Sequence, residues 1–208
     1  MGQRRLAGEF LGTGIMVGVG CGSIAAGAPP AMVCLAFGAV VTAMILMFGP
    51  WSGAHINPAV SAAFWLDGQL EGRMVVPYIL AQCSGGLVAA WMVKGAGPTV
   101  PSDGIGLGPW VAIEVAITCL LMMSILLVVD RTERRSIVAS LVGAAVAVLA
   151  WAAGPATGAS MNPARTIGPN LVAGEVSAVP VYIITTVLGA ALAVWMNARW
   201  CRPTAAQP

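Results

Sequence analysis

Apolar residues fall in six long runs along this chain, Phe10–Ala28, Ala31–Phe48, Val75–Val93, Trp110–Val129, Ile137–Ala153 and Ala178–Ala198, separated by short polar or Gly/Pro-rich breaks. Each run approaches the ~20 residues that a helix needs to cross a bilayer core. Lipid offers nothing to bond a free N–H or C=O, so helices are the predicted form of runs this long. Two further stretches, Ser52–Leu66 and Thr157–Ala173, are moderately apolar but too broken to span. In each, a Gly-containing turn leads to Asn-Pro and then to a short apolar segment. Asn is a good N-cap, and Pro suits the first helical position, where its missing N–H costs nothing. This pattern predicts a loop and then a short helix, starting at Asn57 and at Asn162. At ~1.5 Å per residue such helices reach only about half-way across a membrane. The predicted fold class is an all-α membrane protein of six transmembrane helices plus two re-entrant half-helices.

The chain also repeats itself. Shifting the first half by 105 residues brings Glu9 onto Glu114, Thr13 onto Thr118, Gly38 onto Gly143 and Gly49-Pro50 onto Gly154-Pro155. The same shift brings Gly53 onto Gly158 and Asn57-Pro58-Ala59 onto Asn162-Pro163-Ala164, without a gap. Three spans per repeat is an odd number, which forces the halves into opposite orientations and makes this an inverted repeat. The expected organisation is one domain over 1–208, with repeat 1 at about 1–100 and repeat 2 at about 101–208. Gly95–Pro109 is the expected connector between the halves, and Asp130–Arg135 a short charged turn.

Composition agrees with a lipid solvent: hydrophobic residues make up 58% and charged residues 9%, against about a quarter charged in soluble domains. A net charge of +2 with no basic stripe argues against a nucleic-acid partner. With the N-terminus cytoplasmic, Arg4, Arg5, Arg73, Arg131, Arg134, Arg135, Arg199 and Arg202 all fall on the cytoplasmic side, as the positive-inside rule requires. Only Lys94 and Arg165 do not. The expectation is a multi-pass protein of the plasma membrane with both termini in the cytoplasm. Arg4, Arg5 and the first run, ending in Ala25-Ala26-Gly27-Ala28, imitate a signal peptide. The run is long for one and carries Glu9, whose partner is Glu114, so it reads as a retained span. The five cysteines, Cys21, Cys34, Cys83, Cys119 and Cys201, show no metal spacing. No metal or other cofactor is expected.

Two half-helices entering from opposite sides meet near the midplane and focus positive potential there. Asn57 and Asn162 cap them while keeping amide donors available to a passing solute. Water or a neutral hydroxylated molecule can accept those bonds, whereas a cation meets a barrier. Irregular backbone at this depth is tolerable where it lines a cavity, so the pattern points to a pore.

Ser52-Gly53-Ala54-His55-Ile56-Asn57-Pro58-Ala59-Val60 and Ser160-Met161-Asn162-Pro163-Ala164-Arg165-Thr166 resemble the two signature loops of the aquaporin, or major intrinsic protein, family. Glu9-Phe10-Leu11-Gly12-Thr13 and Gly20-Cys21-Gly22-Ser23 fit the same family. The resemblance covers essentially the whole chain. It implies a right-handed six-helix bundle with a pore in every subunit and a homotetramer. It also implies that Glu9 and Glu114 brace the two loops by accepting backbone hydrogen bonds. His55 is expected to brace the first loop rather than to gate.

Arg165 has no counterpart in the first half, where Val60 stands. In the family this Arg forms an outer constriction. Transfer by position, from 20 residues before Asn57 and from 12 and three before Asn162, completes the ring with Phe37, Ala150 and Ala159. Strict water channels usually carry His where Ala150 stands. Glycerol channels usually pair Trp with Gly at the Phe37 and Ala150 positions, and follow the Arg with Asp, where this chain has Thr166. The ring and Tyr182-Ile183 are nearest the nodulin-26-like branch and its bacterial relatives. The implied function is a passive channel for water and small neutral solutes such as glycerol, urea or metalloid acids, excluding ions and protons. A water-selective channel and a secondary transporter are the alternatives. An enzyme is not expected, for lack of a nucleophile–base pair or metal cluster. Gly14, Gly18 and Gly22 form a small face, suited to packing inside the bundle first and to a subunit interface second.

Overall fold

The structure is a computed structural model that describes residues 2–201; Arg202, placed above on the cytoplasmic side, lies outside them. In chain order the helices are α1 (Gly2–Ala25), α2 (Pro30–Ser52), α3 (Pro58–Leu66), α4 (Gly72–Met92), α5 (Leu107–Val129), α6 (Arg135–Thr157), α7 (Pro163–Ala173) and α8 (Val179–Met196). The long helices are the six predicted spans, and α3 and α7 are the two half-helices.

Several helices run past the apolar stretches that predicted them. α1 begins at Gly2 rather than Phe10, and Arg4 in its first turns sits over the Trp51 ring at 4.7 Å. α2 and α6 continue through Pro50 and Pro155 to Ser52 and Thr157. Each Pro lies in the last turn, where it removes a single intrahelical bond close to the end. Gly53 and Gly158 then stop the helices in the left-handed conformation, their N–H groups closing on the carbonyls of Gly49 (3.0 Å) and Gly154 (2.9 Å).

Packing follows the repeat. α1 lies against α2 and α4 as α5 lies against α6 and α8, while α3 packs on α8 and α7 on α4. α2 and α6 pack against each other where the halves meet. Their contact is Gly38 on Gly143: a Cβ on either would lie 2.5 or 2.4 Å from the other's carbonyl oxygen. In the last span of each half the repeat offset shortens by one residue. Tyr78 and Tyr182 are counterparts, donating to the Ser52 and Thr157 carbonyls. Gly85 and Gly189 are another such pair, packed on the Phe10 and Val115 carbonyls. Gly14, Gly18 and Gly22 all turn toward α4, meeting Gly85, Ala89 and Val93, so the small face serves packing within the bundle. Large apolar side chains such as Leu35, Leu80, Leu141 and Leu188 face outward, as lipid contact requires.

Candidate functional site: a cavity between two capped half-helices

A cavity of about 600 Å³ lies inside the bundle. Its lining runs from Ile24, Pro30 and Pro98 at one end, past Asn57 and Asn162, to Ile125, Val129 and Val138 at the other. Among the described residues α4 and α8 contribute nothing to the lining, because they back the half-helices instead.

Both loop-to-helix junctions are built the same way. Asn57 Oδ1 accepts from the Ala59 N–H at 2.9 Å, and Asn162 Oδ1 accepts from Ala164 (2.9 Å) and Arg165 (3.4 Å). Pro58 and Pro163 take the first helical positions, so each cap satisfies donors that a buried helix start would otherwise leave bare. The amide nitrogens then cross over. Asn57 Nδ2 donates to the Met161 carbonyl at 2.8 Å, and Asn162 Nδ2 to the Ile56 carbonyl at 2.9 Å. An amide carries two N–H bonds, so each Asn, which lines the cavity, has a second donor beyond this cross-tie.

The loops before each Asn are strained at matched positions. Ala54 and Ile56, and Ala159 and Met161, adopt φ values of 49°, 44°, 44° and 51° without being glycine. Such a conformation costs about 1–3 kcal/mol per residue, and a β-branched Ile there is a genuine outlier. Two buried carboxylates offset it. Glu9 accepts from the His55 N–H (3.0 Å), the Ile56 N–H (2.7 Å) and Gln82 Nε2 (2.7 Å). Glu114 accepts from the Ser160 N–H (3.1 Å), the Met161 N–H (3.3 Å) and Thr157 Oγ1 (2.6 Å). With the N–H groups bonded outward, the other edge of each loop faces the cavity. Gly12 leaves the room that the Ile56 side chain occupies, since a Cβ on it would meet Ile56 Cγ2 at 2.7 Å.

A second shared contact joins each half-helix to its own loop. Ser61 Oγ lies 3.1 Å from His55 Nδ1, and its counterpart Thr166 Oγ1 lies 2.6 Å from Ser160 Oγ. His55 also stacks on Phe64, with ring centroids 4.7 Å apart, and meets the edge of Tyr78. Ser61 and Thr166 each stand four residues after their Asn, so their shared place in the repeat is the sequence signal for this contact.

The four ring positions come from α2 (Phe37), α6 (Ala150), the second loop (Ala159) and α7 (Arg165), and all four line the cavity. Arg165 is buried, with its guanidinium 5.1 Å above the Phe37 ring centroid. Its Nη1 donates to the Gly97 carbonyl at 2.7 Å and lies 3.6 Å from Cys21 Sγ. Gly97 belongs to the connector Gly95–Pro109, so this segment does more than link the two halves. Asn170 holds the connector down, exchanging bonds with both the N–H and the carbonyl of Thr99 at 2.8 Å. Thr99 Oγ1 in turn donates to Thr166 at 2.7 Å. Nothing in the local pattern around Gly97 or Asn170 announced this.

A model of the major intrinsic proteins matches residues 2–197. The chain belongs to the major intrinsic protein family. An aquaporin of the NIP type from Oryza sativa subsp. japonica is 35% identical over 207 residues, covering 92% of this chain and 72% of that protein. A glycerol uptake facilitator protein from Haemophilus influenzae is 31% identical over 238 aligned positions, covering 91% and 90%. The X-ray structure of the aquaglyceroporin from Plasmodium falciparum superposes with a TM-score of 0.91 over 98% of both chains. At 24% identity that likeness speaks for the fold alone. Within the family, the plant NIP-type aquaporins and the glycerol facilitator are both homologues of this chain.

Proposed function

We propose that this chain is a passive channel, not an enzyme, conducting water and small neutral solutes of the glycerol and urea class while excluding ions and protons. The observation that carries the reading is the convergence of Phe37, Ala150, Ala159 and Arg165 on one cavity that also holds Asn57 and Asn162. Two alanines beside one aromatic ring and one guanidinium leave space for a molecule wider than water. The Arg165 charge, together with the N-terminal ends of α3 and α7, opposes a cation. A water molecule that accepts from both Asn amides points its own hydrogens away from the centre in opposite directions, which interrupts proton hand-over. The names of the relatives, an NIP-type aquaporin and a glycerol uptake facilitator, support a permeant in this class.

The whole chain is read as one channel domain of two repeats, at about 1–100 and 101–208. We further read the assembly as a homotetramer in the plasma membrane with both termini cytoplasmic. Arg4, Arg5, Arg73, Arg131, Arg134, Arg135 and Arg199 then share the cytoplasmic side. Stopped-flow light scattering on proteoliposomes, comparing water, glycerol and urea, tests the function. Fast flux of water and glycerol is expected. Fast water with glycerol excluded would make this a water-selective channel and overturn the wide-filter reading.

A further inference from the structure

We propose that Gly20 is a specificity-determining position: its missing side chain seats the Phe37 ring against α1, and so sets the width of the filter ring. The proposal rests on the reading of Phe37, Ala150, Ala159 and Arg165 as that filter. Gly20 lies on the buried face of α1, in regular helix. Helical backbone gives no reason for glycine there, since alanine is the better helix former. The reason is the neighbour. An ideal Cβ on Gly20 would lie 2.1 Å from Phe37 Cε1, 2.3 Å from Cζ and 2.5 Å from Cδ1.

Carbon atoms pack at ~3.5–4.0 Å, so a methyl at this position must drive the ring more than about 1 Å away from α1. Phe37 lines the cavity, with the Arg165 guanidinium 5.1 Å from the ring centroid, and the open direction is the cavity. Ala150 and Ala159 carry no atoms beyond Cβ that could stop it. Phe37 therefore advances into the lumen and the opening narrows. The other small residues of α1 do not act on Phe37: Gly18 meets only Ala89 Cβ, at 3.8 Å, which leaves room for a methyl.

The test is a set of proteoliposome measurements of water and glycerol permeability on Gly20→Ala, Gly18→Ala, Phe37→Leu and the Gly20→Ala/Phe37→Leu double variant. For Gly20→Ala the glycerol-to-water permeability ratio is expected to fall about tenfold, the scale of one methyl group in a fitted pocket. Gly18→Ala is expected to leave the ratio unchanged. Phe37→Leu is expected to raise it, and in that background Gly20→Ala is expected to have no further effect. An unchanged ratio in Gly20→Ala, an equal loss of both permeants, or the same effect with and without Phe37 overturns the proposal. If Gly20→Ala fails to fold, the Phe37→Leu background must restore the yield, and failure to do so also overturns it. A Phe37→Leu variant with an unaltered ratio sinks the filter reading itself. A responsive Phe37→Leu with a silent Gly20→Ala sinks only the role given to Gly20.

Discussion

Asn57 is tied to Met161 in the opposite half of the chain, donating from Nδ2 to its carbonyl at 2.8 Å while Oδ1 caps its own helix. Replacing Asn57 with Asp keeps the cap acceptor but turns an oxygen toward that carbonyl. Losing the bond and leaving Met161 unpaired costs about 1–3 kcal/mol. Asn57→Asp is expected to lower the melting temperature in detergent and to slow water flux. An unchanged melting temperature would show that the cross-tie carries no stability.

Glu9 and Glu114 occupy matched positions, and in each both carboxylate oxygens accept from a backbone N–H: His55 and Ile56 for Glu9, Ser160 and Met161 for Glu114. A backbone N–H cannot turn to accept, so a glutamine in either place sets its amide nitrogen against one of these donors. Glu9→Gln and Glu114→Gln are each expected to cost about 1–3 kcal/mol for the buried donor left unpaired, read as a lower melting temperature. A melting temperature equal to the parent's in either variant would contradict the bracing role.

Gly38 and Gly143 bring α2 and α6 into backbone contact. Because the atom a Cβ would strike is a carbonyl oxygen, the clash cannot be relieved by a side-chain turn. Gly38→Ala is expected to cost about 1–3 kcal/mol of overpacking, read as a lower melting temperature. Gly108→Ala is the comparison: among the described residues nothing lies within 4 Å of its Cβ position, and near-neutral stability is expected.

Removing Arg165 takes away the fixed charge of the ring and the donor to Gly97. Arg165→Val is expected to raise cation or proton leak while water flux persists. A pH-sensitive dye trapped in proteoliposomes reads the leak, and an unchanged leak would contradict the assigned role.

Ala150 is one of the two small members of the proposed ring. Ala150→His puts a larger, polar side chain there and is expected to lower glycerol and urea permeability about tenfold or more, with water retained. Stopped-flow measurements on the variant decide it. Equal glycerol flux in both proteins would place the size limit elsewhere.

Much of the architecture was legible because its signals are local. Continuous apolar runs identify six spans, and Asn-Pro identifies two capped helix starts, since a cap involves only residues within one turn. The pairing of Glu9 with Glu114 and of Asn57 with Asn162 emerged from the repeat. Helix ends were read less well: α1 starts at Gly2, and α2 and α6 pass through Pro50 and Pro155. Hydropathy marks where lipid contact stops, while hydrogen bonding decides where the helix stops.

By itself, then, the sequence determined the membrane solvent, the six spans, the inverted repeat and the two half-helices, all set by interactions within a few residues. Only the tertiary structure decided what meets what. The crossing at Gly38 and Gly143, with the packing of α7 on α4, brings residues from α2, α6, α7 and a loop to one cavity. The Gly97 carbonyl reaches Arg165, and Phe37 rests on Gly20, through contacts between residues far apart in the chain. Such contacts depend on how closely helices approach, a distance that the sum of many packing choices sets and no single motif encodes.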